Sequence, residues 1–167
     1  MEYLIETPRL LLREILISDA EDMYILNSDL DVVRYTGDVP FSSIEETKEF
    51  ISNYNHYHKY GYGRWAVILK ETKEILGWCG LKNHDDEFID LGYRFHQKHW
   101  GKGYATESAK ACIEYGFNTL QMTEIIGRAM PENPASIAVL EKVGMKYWKE
   151  DECEGLHAAK YFRISKS

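Results

Sequence analysis

The run Phe88-Ile89-Asp90-Leu91-Gly92-Tyr93-Arg94-Phe95 leads directly into His96-Gln97-Lys98-His99-Trp100-Gly101-Lys102-Gly103-Tyr104-Ala105-Thr106. The first eight residues read as a strand. From Tyr104 a helical pattern begins. Ala105, Ala109, Cys112, Ile113, Gly116, Phe117 and Leu120 share one face, with Glu107, Lys110 and Glu114 on the other, which predicts a helix over 104–120. Between strand and helix, free backbone N–H groups and the helix's positive end are disposed to meet an anion. Gly101 and Gly103 let the backbone approach a phosphate closely, and Lys98 and Lys102 add positive charge. Two glycines are weak evidence alone, because a turn that merely starts a helix gives the same letters.

Two other phosphate loops do not fit. A Walker loop needs Ser or Thr after its lysine, and Lys102 is followed by Gly103. A dinucleotide fingerprint needs a third glycine where Thr106 stands, and a parallel βαβ unit around it. Upstream there are hairpins instead. Arg64 to Lys70 and Glu74 to Asn83 are strand-like and separated by Glu71-Thr72-Lys73, and His84-Asp85-Asp86-Glu87 precedes Phe88. Turns this short make antiparallel neighbours.

Farther upstream, Thr7-Pro8 precedes a strand over Arg9 to Glu14. Ser18 with Glu21 reads as a capping box for a helix to about Asn27. Ser43 with Glu46 opens a longer helix in which Ile44, Ile51, Tyr54 and His58 recur, ended by Gly61-Tyr62-Gly63. Downstream lie a strand over Glu124 to Ala129, then a helix with Asn133 as N-cap, Pro134 in its first position and Gly144 at its end. Strands over Lys146 to Glu150 and Ala159 to Ile164 close the chain. The order predicts an α+β fold: a mixed, largely antiparallel sheet with helices on both faces.

A chain of 167 residues is the size of one domain and needs no disulfide or metal staple. No apolar run approaches the roughly eighteen residues of a membrane helix. The start Met1-Glu2-Tyr3-Leu4-Ile5-Glu6 is acidic where a signal peptide is basic. Cys79, Cys112 and Cys153 form no CxxC pair and suit a reducing interior, so a cytoplasmic location is expected. Twenty-seven acidic against twenty basic residues, net −7, argue against nucleic acid as a partner and lean towards a cationic acceptor such as an amine. A charged, solubilising surface explains the same numbers.

The runs Leu91–Phe95 and Trp100–Glu107 resemble the acyl-CoA loop of the GNAT acetyltransferase superfamily. Asn133-Pro134-Ala135-Ser136 followed by Leu140-Glu141-Lys142-Val143-Gly144-Met145 is similar to that superfamily's last helix. Thr7-Pro8-Arg9-Leu10 and Arg34-Tyr35-Thr36-Gly37 extend the resemblance over nearly the whole chain. Among its branches, the resemblance is to the ribosomal-protein N-acetyltransferases of the RimJ/RimL type. It implies a GNAT fold and direct transfer of acetyl from acetyl-CoA to an amine, either a protein N-terminus or a small molecule. It also makes a homodimer an open expectation. The loop departs at one position: Lys98 stands where the superfamily usually has Gln or Arg, keeping the charge without the planar donors.

The same resemblance assigns coenzyme A contacts to Tyr93, Phe95, His96, Lys98, Gly101, Lys102, Gly103, Tyr104, Ala105, Asn133 and Ser136. A backbone N–H near Phe95 would polarise the thioester, and side chains at Tyr93 and His96 need not matter. Asp90, on the strand face opposite Leu91, Tyr93 and Phe95, is the candidate to receive the amine's proton. A carboxylate of pKa about 4 needs a water relay or a raised pKa for that work, and a solvated strand charge is the plain alternative. Glu87, Asp85 and His84 rank behind it.

Ser136 matches the serine that the RimJ/RimL type places beside the departing thiol, while Leu140 stands where many members carry a tyrosine. A thiol of pKa about 8.5 leaves without an acid, so a hydrogen bond from Ser136 would suffice. Asn133 reads both as N-cap and as pantetheine partner. Tyr35 resembles an acceptor-lining position. The aromatic cluster Tyr54, Tyr57, Tyr60, Tyr62 and Trp65 reads as packing first and acceptor pocket second. The histidines lack metal-ligand spacing, so no metal is expected. A silent acyl-CoA binder and a plain interaction domain stay open beside the transferase.

Overall fold

The computed structural model describes residues 2–36, 38–153 and 156–167; Gly37 of the motif above and the Cys153 side chain lie outside the described portion. The chain begins with β1 (Ile5–Glu6) and β2 (Leu10–Glu14). Four helices follow: α1 (Ala20–Ser28), α2 (Leu30–Val33), α3 (Ile44–Asn53) and α4 (His56–Tyr60). Next come β3 (Arg64–Leu69), β4 (Ile75–His84), β5 (Phe88–Phe95) and α5 (Tyr104–Asn118). β6 (Glu124–Ala129), α6 (Pro134–Lys142), β7 (Lys146–Cys153) and β8 (Leu156–Ser165) complete it. The eight described strands form one sheet in the order β1-β2-β3-β4-β5-β6-β8-β7, antiparallel except at β5–β6. The mixed, largely antiparallel α+β architecture expected from the sequence is what the chain adopts. Among the described residues no helix is long and apolar enough to cross a membrane.

Strand alternation divides the helices between two faces. Leu91 and Phe95 of β5 are buried with Ala109, Cys112 and Ile113 of α5. On the other face Trp78 of β4 packs against Met23 and Leu26 of α1. Cys79 and Cys112 meet in the first core as buried free thiols, Cys112 donating to the Cys79 sulfur at 3.6 Å.

Helix starts and breaks differ from expectation where tertiary bonds intervene. The Ser18/Glu21 capping box does not form. Asp19 accepts from the Leu16 N–H at 2.8 Å, and its carboxylate is held by Arg13 at 2.7 and 3.0 Å. The Ser43 cap forms as expected, with Glu46 N–H donating to its hydroxyl at 3.0 Å. The long helix is nevertheless broken at Tyr54, whose backbone is extended. The Tyr54 hydroxyl accepts from the Arg64 N–H at 3.0 Å and that of Tyr57 from the Ile15 N–H at 3.0 Å, so two anchors to neighbouring segments redirect the chain. β1 and α2 were not anticipated, being too short to show a period.

Candidate active site

β5 and β6 pair only at Asp90–Ile126 and Leu91–Gly127 and then part. The His96 N–H bonds to the Leu76 carbonyl on β4 at 2.9 Å. Successive amides alternate sides, so those of Phe95 and Tyr93 point the other way, into the space β6 has left. A cleft of about 940 Å³ opens there, lined from β5 through the Gly101–Gly103 turn to Asn133–Ser136 of the α6 start.

The turn itself is built for close approach. Gly101 and Gly103 have φ of +76° and +82°, left-handed values that favour glycine, and a side chain at Gly101 would meet nothing within 4 Å. Gly103 is the N-cap of α5 and offers no side-chain cap, leaving the first N–H groups of a fifteen-residue helix facing an open cleft. Trp100 donates its indole N–H to the Phe95 carbonyl at 2.9 Å, tying the turn to the end of β5.

Thr7 and Arg9 fix the other side of the turn. The Arg9 guanidinium donates to the Lys102 carbonyl at 3.0 Å and to Glu107 at 2.7 Å, and lies 4.5 Å over the Tyr104 ring. Thr7 hydroxyl and Arg9 N–H donate to the second Glu107 oxygen at 2.6 and 3.0 Å. Burial pushes the Glu107 carboxyl up, but these hydrogen bonds outweigh it and hold it below the usual carboxylate range.

Of the residues assigned from sequence, Asp90, Tyr93, Phe95, Gly101, Gly103, Tyr104, Ala105, Asn133, Ser136 and Tyr35 line the cleft. Lys98, Lys102 and His96 do not. Lys98 is turned outward to Glu74 at 2.9 Å, and Lys102 presents its carbonyl to Arg9. The His96 ring is half-buried, its Nε2 has no hydrogen-bond partner among the described residues, and burial lowers its pKa. The aromatic cluster lies outside the cleft. Asn133 acts as N-cap, its amide oxygen accepting from the Ser136 N–H at 3.3 Å. Leu140 is 1 % exposed and packs over Gly127, where an added Cβ would come within 2.6 Å of it.

On one face of the parting, Asp90 is buried and bonded through one oxygen to Arg128 at 2.8 Å and to His84 Nε2 at 3.3 Å. Its other oxygen has no hydrogen-bond partner among the described residues. On the other face, the Tyr93 hydroxyl lies 2.8 Å from Ser136 Oγ and donates to the Ser136 carbonyl at 3.0 Å. Burial pushes the Tyr93 phenol well above its ordinary range, so it stays neutral and keeps its proton. Sequence reasoning missed this tyrosine side chain, and also Arg9, Trp100 and Glu107. For the last three, the only signal was the quoted motifs that contain them.

Residues 9–146 match the acetyltransferase (GNAT) domain family. An uncharacterised N-acetyltransferase of Bacillus licheniformis, p20, is 34% identical over 143 residues, 84% of this chain and 80% of that protein. A GNAT-family acetyltransferase of Bacillus anthracis superposes with a TM-score of 0.83 at 29% identity, covering 96% and 97% of the two chains. The spermidine N-acetyltransferase of Vibrio cholerae, solved with CoA and spermine, shares the fold at TM-score 0.81 and 22% identity, covering 95% and 96%. The parted strands, the uncapped helix behind a left-handed glycine turn and these matches agree: the chain belongs to the GNAT acetyltransferase family and is an N-acetyltransferase that uses acetyl-CoA.

Proposed function

We propose that this enzyme acetylates a primary amine directly in a ternary complex, with the acceptor on the Asp90 face and the acyl donor on the Tyr93 face. The observation that carries this reading is the parting of β5 from β6, which puts both faces on one continuous cleft. The acceptor is a protein N-terminus or a small-molecule amine. Ser136 at the α6 start supports the RimJ/RimL-type branch.

Acetyl-CoA supplies the acetyl group as a thioester, whose C–S bond breaks as the new C–N bond forms. Phe95 N–H polarises the carbonyl, and the α5 N-terminus with Gly101 and Gly103 holds the pyrophosphate. Asp90 offers its open oxygen to the amine or to a water that carries the amine's proton away. Ser136, 2.8 Å from the Tyr93 hydroxyl, turns its own proton from that oxygen to the departing sulfur. Tyr35 borders the acceptor. Holding the two reactants together supplies much of the acceleration, up to about 7–11 kcal/mol in favourable systems.

A silent acyl-CoA binder has one observation in its favour, the core leucine at position 140. Thiol release from acetyl-CoA, measured across peptides with free N-termini and small amines, separates the two readings. Transfer predicts amine-dependent release that falls about tenfold or more in Asp90→Asn. No release above the spontaneous rate with any amine, from a protein that still binds acetyl-CoA, would support the silent binder.

A further inference from the structure

The cleft is lined by Arg34, Arg64, Lys82, Arg94 and Arg128, against Asp31, Asp38, Asp90 and Glu132. Three of these cations are ion-paired. Arg34 pairs with Asp31 at 2.5 Å, Arg94 with Asp38 at 2.5 Å, and Arg128 with Asp90 at 2.8 Å. Arg64 and Lys82 have no carboxylate in ion-pair range among the described residues.

These two cations flank one floor. Arg64, Gly80 and Gly92 form a cross-strand row, and Lys82 opposes Asp90 in the next row on the same face. Gly80 and Gly92 project no side chain, and the space over them is taken by the Gly63–Arg64 backbone and by the Trp78 ring, which forms the floor between the rows. The Arg64 guanidinium lies 4.6 Å over the Trp78 ring, which holds it flat at the cleft wall. Two strand spacings and one two-residue step put the Arg64 and Asp90 backbones on the order of 12 Å apart. Both side chains reach inward from there. The field of the pair is felt nearby: His56 is held below its usual range by burial first, and then by the charges of Lys82 and Arg64. Unmatched cations in a partly desolvated wall favour an anion, and a polyamine would be repelled.

Resting on the transfer reading above, we propose that the acceptor amine also carries an anionic group, a carboxylate or a phosphate monoester, which docks on Arg64 and Lys82. This separates the enzyme from any transferase of fully cationic amines, despite a whole-chain charge of −7.

The test pairs ω-amino carboxylates of increasing length with their carboxamides, and adds aminoalkyl phosphates and spermidine. Two readouts are taken: acetyl transfer, and calorimetric binding to the CoA-loaded protein. Wild type is expected to favour the anionic member of a pair at least tenfold in kcat/KM and in affinity. Arg64→Met and Lys82→Met should each cut that ratio several-fold through KM, and the double variant should bring it near one. Lys48→Met, on exposed helix away from the cleft, should keep it. A larger preference for phosphate over carboxylate identifies the source and supports the proposal.

Turnover of carboxamides or spermidine as good as that of the anionic amines would overturn the proposal while the transferase stands. Absent turnover with anion-selective binding that both variants lose would support the docking site and count against the transfer reading. Absence of selectivity in both readouts would overturn it.

Discussion

Tyr93 is neutral because burial disfavours phenolate, and it joins two elements that have no strand pairing with each other. Its hydroxyl holds both the carbonyl and the side chain of Ser136, so its loss frees the serine to rotate. Tyr93→Phe is therefore expected to lower kcat about tenfold with little change in KM for acetyl-CoA, and to cost about 1 kcal/mol of stability. Ser136→Ala should give a similar kcat, and the double variant should be no worse than either alone, because the two act as one unit. Steady-state kinetics and denaturant unfolding check this; an unchanged kcat in Tyr93→Phe would remove the pair from the chemistry. The pairing was not legible in the sequence. Strand alternation gave the face of Tyr93, but its partner lies 43 positions away on another element.

The N-terminus of α5 is set by Glu107, which gathers Thr7 and Arg9 and through Arg9 steadies the glycine turn. Its folded pKa is depressed, so its stabilisation is complete above the unfolded value near 4.5 and is lost as pH falls through the folded value. Glu107→Gln should lower stability by about 1–2 kcal/mol at pH 7 and raise KM for acetyl-CoA. The stability difference from wild type should shrink as pH falls below 4.5. Melting curves at pH 7 and pH 3.5 check the sign; a constant difference would contradict it. The hairpins β3–β4–β5 and helix α5 were readable because short turns and a continuous apolar face are local signals. The break between α3 and α4 was not, because hydrogen bonds to Tyr54 and Tyr57 from Arg64 and Ile15 made it. Lys98 illustrates the same limit: its charge beside the glycines was visible, and its capture by Glu74 was not.

Across the molecule, the proposed anion site and the proposed acceptor floor occupy the two faces of one sheet, joined where two strands separate. The sequence carried the loop, the strand bearing Asp90 and the helix bearing Ser136, because each is a contiguous motif. The imbalance of charge on the acceptor face was hidden under a net charge of opposite sign, since only pairing in space shows which cations are already matched. All of this depends on the cleft holding acetyl-CoA. The most direct measurement is the melting temperature with and without the ligand. At about 100 times its Kd, acetyl-CoA should stabilise the fold by roughly 2.7 kcal/mol, a rise of about 5–10 °C for a chain of this size. Gly103→Val, which strains the left-handed N-cap, should lose most of that rise. No shift in the wild type at millimolar acetyl-CoA would contradict the account.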